Sequence, residues 1–339
     1  MTPLSTQTQI TSPYQASDLC FSLRLLGLAH KIKSRRWRHK SIRYGRRLFY
    51  WIQRMLRRND HGALILRVNG EIRRARFNAR NHQFFYEIDA AHDGHVELES
   101  LILLQKLVGN NGVFYDIGAN WGYYSHAIAA QNNFSGQVIA FEPHPQAFND
   151  LKSLSAQFGL NQKEILLNAA LDAKEEAGKL YFKRAFDTAT ARLSEKGSKG
   201  SVAIQIKTLD GLGLAPPSVM KIDVEGHELG VLHGGEKLIA KHRPFILMEN
   251  NPSPQAIAGS LPPLQYLANK DYVFFLPLWE EESGLLTADS NAISDDAYAK
   301  LVLWPVTIYD RFIYPPLCIN VLGAPREKLD WLKSRLEQT

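Results

Sequence analysis

From Val113 onward, short apolar runs alternate with longer segments of helical periodicity, the rhythm of a parallel α/β sheet. The runs are Phe114–Asp116, Val138–Phe141, Ile165–Asn168, Val219–Val224 and Phe245–Glu249. Tyr272–Leu276 and Cys318–Leu322 follow without a full helical crossover, which predicts an antiparallel last strand. An extra β-like pair, Lys179–Lys183 and Val202–Lys207, falls between the third and fourth runs. Upstream, Glu97 to Val108 reads as an amphipathic helix with Leu98, Leu101, Ile102, Leu104 and Val108 on its stripe. Alternation about Asn69-Gly70 (Leu64, Leu66 and Val68, then Ile72) predicts a hairpin, and Phe84, Phe85, Tyr86 and Ile88 extend the β character. Pro325 opens a C-terminal helix that packs through Leu329, Leu332 and Leu336.

Two stretches depart from pure packing patterns. The first, V-F-Y-D-I-G-A-N-W-G-Y-Y from Val113 to Tyr124, ends a strand in Asp116. It then turns through Gly118 and Gly122, which bracket Ala119, Asn120 and Trp121, and enters a helix over Tyr123 to Gln131. A strand breaking into such a turn places backbone N–H groups and a carboxylate at the sheet edge where doubly wound folds bind nucleotides. Asn120 replaces the central glycine of a nicotinamide fingerprint, and no G-x-x-x-x-G-K-[ST] occurs, so phosphate cradles are excluded. A carboxylate ahead of the loop suits a ligand with an amino acid ammonium and no phosphate, such as S-adenosylmethionine. Glu142, at the tip of the next strand, is placed to accept both hydroxyls of a ribose.

The second stretch is V-M-K-I-D-V-E-G-H-E, from Val219 to Glu228. Alternation puts Ile222 and Val224 on one face and Lys221, Asp223 and Glu225 on the other. Three ionisable groups on a central strand are costly unless they reach its carboxyl edge or a ligand. That edge is shared with Asp116 and Glu142, so these groups are expected to converge on one crevice, with Glu249 adding a further acid to the rim. A packing alternative stays open, in which Lys221 and Asp223 form a buried pair while Glu225 and Glu228 cap the next helix.

Composition narrows the class. The two cysteines, Cys20 and Cys318, lie far apart and outside any ligand spacing, so a reducing, cytoplasmic setting is expected. No run of eighteen apolar residues occurs, and the polar start makes a poor signal peptide. The net charge of +6 is local: thirteen cations lie between Arg24 and Arg58 with no Asp or Glu among them, so the remainder is net acidic. This segment reads as helical, with Tyr44, Leu48, Trp51, Ile52 and Met55 on one face of its second piece. It is a candidate for peripheral contact with an anionic membrane, at the inner face, or for following a nucleic-acid backbone; docking on its own domain is the packing alternative. The division expected is a disordered tail (1–17) and basic helical segment over 1–62, a hairpin cover over 63–95 and a nucleotide-binding domain over 96–339.

D-I-G-A-N-W-G-Y-Y-S, A-F-E-P, L-N-A-A-L-D, T-L-D-G-L and K-I-D-V-E-G-H-E, in this order and spacing, resemble the FkbM family of S-adenosylmethionine-dependent methyltransferases over residues 96–323. The resemblance implies a class I, Rossmann-like methyltransferase fold: a seven-stranded, mainly parallel sheet with an antiparallel last strand. It also implies O-methylation of a sugar in a polysaccharide or glycolipid, or of a secondary metabolite. Carrying the motif roles over, Asp116, Gly118, Ala119, Asn120 and Gly122 surround the methionine part, Glu142 holds the ribose, and Asn168 with Ala169 borders adenine. Asp223 falls where such enzymes place a residue near the transferring methyl. His227 is the most attractive base for the acceptor proton, an unperturbed imidazole being largely neutral at pH 7. Asp223 or Glu225 is the alternative, as base or as the group that orients the histidine. Asp223, Glu225 and Glu249 offer hard oxygen ligands, but no spacing demands a cation, so no metal is expected. Trp279 and Trp304 would suit stacking on a sugar, or packing in the core. The competing functions are an RNA methyltransferase using the Arg-rich segment and a non-catalytic S-adenosylmethionine-binding module.

Overall fold

A computed structural model of the chain describes residues 1–9, 13–17, 61–78, 97–181, 192–193, 202–251, 257–280, 284, 286–287, 298–312 and 320–337. The Arg-rich segment, 24–58, and the β-like residues 84–88 lie outside the described residues. Among those described, no helix is long and apolar enough to cross a membrane.

Two short strands, β1 (Leu4–Gln9) and β2 (Tyr14–Ser17), open the chain. The hairpin of β3 (His61–Val68) and β4 (Glu71–Asn78) turns through Asn69-Gly70, both at positive φ. There follow α1 (Leu98–Val108), β5 (Val113–Ile117), α2 (Tyr123–Ala129), β6 (Gln137–Phe141), α3 (Pro145–Phe158) and β7 (Glu164–Leu167). A side sheet holds β8 (Ala170–Leu171), β9 (Glu176–Tyr181), β10 (Arg192–Leu193) and β11 (Val202–Lys207). The alternation resumes with β12 (Val219–Ile222), α4 (Glu228–Gly234), α5 (Glu236–His242), β13 (Phe245–Glu249), α6 (Ile257–Ala268) and β14 (Tyr272–Glu280). Last come β15 (Leu286–Thr287), β16 (Tyr298–Val306), β17 (Asn320–Pro325) and α7 (Leu329–Glu337).

The main sheet runs β1-β16-β14-β17-β13-β12-β5-β6-β7, with β15 on the side of β14. Strands β7, β6, β5, β12 and β13 are parallel. The last strand, β17, inserts antiparallel between β13 and β14. These seven strands form the expected class I sheet, and its antiparallel member is borne out. The chain leaves β5 towards β6 on one side and returns to β12 on the other, and at such a switch point the strand ends open a crevice.

Alternation along each strand builds two cores. Phe114, Val138, Val219 and Leu247 pack with the hairpin, α1, α2 and α7 on one face. Tyr115, Ile139, Met220, Ile246 and Met248 pack with α4, α5 and α6 on the other. Beyond the seven strands, β16 and β1 extend the sheet antiparallel. Residues 4–9 and 14–17, expected in a disordered tail, are therefore strands. Their composition is polar, but an edge strand gains its order from the unpaired N–H and C=O groups of its neighbour. The few side chains turned inward are enough to choose a face: Leu4 packs on the core, and Thr6 and Tyr14 are buried.

Behind the crevice, His126 ties α2 to β7. Its Nδ1 lies 2.9 Å from Glu164 Oε1 and its Nε2 3.0 Å from the Trp121 carbonyl oxygen, with both side chains fully buried. Replacing His126 by Ala leaves the Glu164 carboxylate buried without this partner. A stability loss of about 3–5 kcal/mol is expected from the urea midpoint; a loss under about 1 kcal/mol would show that the pair does not hold these elements together.

Candidate active site

The turn after β5 hangs on the end of β6. Gly118 N and Ala119 N both donate to the Phe141 carbonyl oxygen, at 2.9 and 3.0 Å. Gly118 has φ +87°, and a Cβ there would lie 1.8 Å from the Asp223 carbonyl oxygen. Gly122 has φ +95°, and a Cβ there would lie 2.6 Å from His126 Nε2. Only glycine lets the turn lie this close to the end of β12 on one side and to α2 on the other. Asn120 also adopts positive φ. Its N–H donates to Glu142 Oε2 at 2.7 Å, while its Oδ1 is buried with no hydrogen-bond partner among the described residues.

Glu142 caps β6 and accepts from His144 N through Oε1 at 2.7 Å. Burial pushes its carboxyl up to about 7, against the pull of the His144 and Asn120 N–H groups. Asp116 turns Oδ2 towards α2, where Ser125 N (3.0 Å) and Ser125 Oγ (2.6 Å) donate to it. Burial raises Asp116 to about 6 despite those bonds and the nearby Lys221. Asn168 is exposed at the end of β7 and donates through Nδ2 to the Glu142 and Pro143 carbonyl oxygens, at 2.8 and 3.2 Å. Ala169 beside it is buried. The loop, Glu142 and Asn168 are thus linked to one another by hydrogen bonds between side chain and backbone along one rim.

The acids at the ends of β12 and β13 meet on the other side. The strand β12 ends at Ile222, and Asp223 N donates to the Ile117 carbonyl oxygen at 2.9 Å. Lys221 is 1% exposed, with Nζ 3.3 Å from Asp223 Oδ2, and Asp223 keeps 34% of its side chain open. Burial alone would neutralise Lys221, yet the fields of Asp223, Glu97, Glu249 and Asp116 hold it above its ordinary value. Burial likewise works against an ionised Asp223, but the Lys221 ammonium and the hydrogen bonds from Glu249 and Lys221 keep it below the usual carboxylate range. Its partner Glu249 is pushed up to about 9 by burial and by the Asp223 charge. Oxygens of Asp223, Glu225 and Glu249 lie within 4.8 Å of one another. The Lys221–Asp223 pair of the packing alternative is therefore present. Glu228 caps its own turn, accepting from Gly226 N at 3.1 Å and Val224 N at 3.4 Å.

His227 opens α4 and is half-buried, and its Nδ1 lies 3.6 Å from Asp172 Oδ2, an ion-pair separation rather than a hydrogen bond. Asp172 was not among the expected site residues, although it ends the L-N-A-A-L-D stretch. A second group outside expectation stands near Lys221. The Tyr124 hydroxyl donates to Glu97 Oε2, Asn320 Nδ2 donates to the same oxygen at 3.0 Å, and the Tyr124 ring centroid is 5.6 Å from Lys221 Nζ. Trp279 is fully buried and Trp304 packs half-buried against the core, so both take the packing role.

The profile described as "Methyltransferase FkbM domain" matches residues 116–274. Among curated proteins, the hexuronic acid methyltransferase AglP of Haloferax volcanii is 29% identical over 168 residues, covering 47% of this chain and 64% of the relative. This chain thus spans less than two thirds of that relative's length. Among solved structures, methyltransferase FkbM from Methylobacillus flagellatus KT aligns over 67% of this chain and 55% of that one, at 14% identity and TM-score 0.39. An S-adenosylmethionine-dependent O-methyltransferase from Thermotoga maritima aligns over 72% and 77%, at 11% identity and TM-score 0.35. The matched span begins at Asp116 and takes in the glycine turn, Glu142, Asn168, Asp223, His227 and Glu249, so residues 116–274 match the FkbM methyltransferase domain.

Proposed function

We propose that this chain is an S-adenosylmethionine-dependent O-methyltransferase acting on a hydroxyl of a sugar, in a polysaccharide or glycolipid, or of a secondary metabolite. The observation that carries this reading is the approach of Gly118 to Asp223, so close that a Cβ would meet the Asp223 carbonyl oxygen at 1.8 Å. It sets the Asp223 carboxylate beside the turn that would hold the donor. The hexuronic acid named for the Haloferax relative supports a sugar as acceptor.

The residues present fit the donor. Asn120 Oδ1 is a buried acceptor with no partner among the described residues, and each Glu142 oxygen accepts one backbone N–H and has a second lone-pair site. The donor brings an ammonium and two ribose hydroxyls, which are hydrogen-bond donors. Gly118, Ala119, Asn120 and Gly122, with Asp116 behind them, would hold its methionine part. Glu142 would hold the ribose, with Asn168 and Ala169 beside adenine. When bound, the donor supplies a methyl on a sulfonium, so the electrophile needs no further activation.

The chain must then orient an alcohol oxygen and take its proton as the new O–C bond forms. Asp223 accepts that proton. Lys221 keeps it ionised, and the alcohol becomes strongly acidic as its oxygen gains the methyl, so a weak carboxylate base suffices. Glu249, protonated at neutral pH, donates a hydrogen bond to Asp223, and Glu225 stands beside both. A second reading makes His227 the base, favoured by Asp172 beside its Nδ1, where an acid orients an imidazole for proton transfer.

The assay is transfer of labelled methyl from the donor to hexuronic acid and neutral-sugar glycans. Asp223→Asn is expected to bind the donor as wild type does in calorimetry while kcat falls about 10²–10⁴-fold. His227→Asn is expected to lose less than about tenfold; the reverse ranking would move the base to His227. Donor affinity is also expected to depend on pH. A ribose favours the ionised form of Glu142, whose carboxyl burial raises to about 7. Binding should therefore release a proton, weakening about tenfold per pH unit below that value and levelling off above it. Calorimetry in buffers of different ionisation enthalpy reads this directly, and a profile flat from pH 5.5 to 8 would contradict the role of Glu142.

A further inference from the structure

The strand β2 carries Tyr14 onto the donor turn from outside the family match. Tyr14 pairs with Leu66 across β2 and β3, and its side chain is 3% exposed. The hydroxyl donates to the Tyr123 carbonyl oxygen and lies 3.5 Å from that of Gly122. The ring stands edge-on to Trp121, with centroids 5.3 Å apart, and meets Tyr123 at the same separation. Trp121 and Tyr123 contact each other at 5.9 Å. One side chain thus touches three consecutive residues, 121 to 123, where the turn becomes a helix.

The position of that junction matters to the turn. Gly122 O accepts the bond from His126 N that starts α2, at 2.9 Å, and Gly122 N closes the turn onto Ala119 O at 2.8 Å. A shift at residues 122–123 is therefore passed to the N–H groups of residues 118–120. A hydroxyl fixed on the Tyr123 carbonyl, with aromatic packing around it, restricts the shift. The same side chain is held in turn by the β2–β3 pairing, and so by the hairpin.

We infer that Tyr14 is a positioning residue for the donor turn, so that seating of β2 on the hairpin and occupancy of the turn stabilise each other. The inference rests on the reading of that turn as the donor site. The coupling is reciprocal, because whatever the strand contributes to donor affinity the donor returns to the strand.

Tyr14→Phe keeps the ring and removes only the hydroxyl. In calorimetry with S-adenosylhomocysteine and the full chain, it is expected to bind about threefold to tenfold more weakly than wild type, the range for one net hydrogen bond. In steady state the donor KM should rise by a similar factor, with a smaller change in kcat. In wild type, S-adenosylhomocysteine should slow amide exchange in residues 13–17 and 61–78, a reading that does not depend on whether the variant folds. Wild-type affinity in Tyr14→Phe, or strand amides that exchange equally fast with and without the ligand, would overturn the inference and leave the donor site standing. Wild-type protein that binds no S-adenosylhomocysteine at all would overturn the donor-site reading itself, and this inference with it.

Discussion

Everything in the crevice depends on how closely two pieces of backbone approach, the turn at Gly118 and the end of β12 at Asp223. Main chain reaches that distance only where a Cβ is absent, since one would sit 1.8 Å from a carbonyl oxygen. The contact is held from both sides. Asp223 N donates to the Ile117 carbonyl, and the N–H groups of Gly118 and Ala119 donate to that of Phe141. Three adjacent strands are laced together at their carboxyl ends, so the groups emerging from them share one wall. The glycine turn and the acid cluster, which would otherwise be separate features, come to line one crevice.

Such proximity carries an electrostatic cost that the fold offsets internally. Asp116, Asp223, Glu249 and Glu97 all act on the buried Lys221. One ammonium among several acids cannot favour the ionised form of all of them equally, and the outcome is uneven: Asp223 is held below the usual carboxylate range while Glu249 is pushed up. On the proposed reading, that inequality separates the proton acceptor from its hydrogen-bond donor within one cluster of like groups. It also dissolves the opposition between a packing pair and a functional one, since the ammonium that makes Asp223 tolerable in the interior is the same one that keeps it ionised.

The parallel strands were legible because apolar runs bounded by turns recur with helices between them, and because charges on a central strand demand an explanation. Even the boundary error at β12 is informative. Alternation carries the strand to Val224, but it ends at Ile222, and the next residue, Asp223, is the one whose carbonyl lies against Gly118. What remained hidden depends on distant partners. Asp172 meets His227 across the side sheet, and nothing in the local pattern of either announces the other. Tyr14 sits in a polar stretch with the composition of a tail, and its order comes from β3 and the aromatic group at the turn. The L-N-A-A-L-D motif, which ends in Asp172, is the one signal for it in the sequence.

The place where the donor lies decides whether this crevice is the active site. A crystal structure of the full chain soaked with S-adenosylhomocysteine is the direct measurement. The predicted density follows Gly118 to Gly122, with ribose hydroxyls on Glu142 and the sulfur facing the Asp223 carboxylate. A ligand bound elsewhere on the chain, or one in this crevice with its sulfur turned away from Asp223, would contradict it.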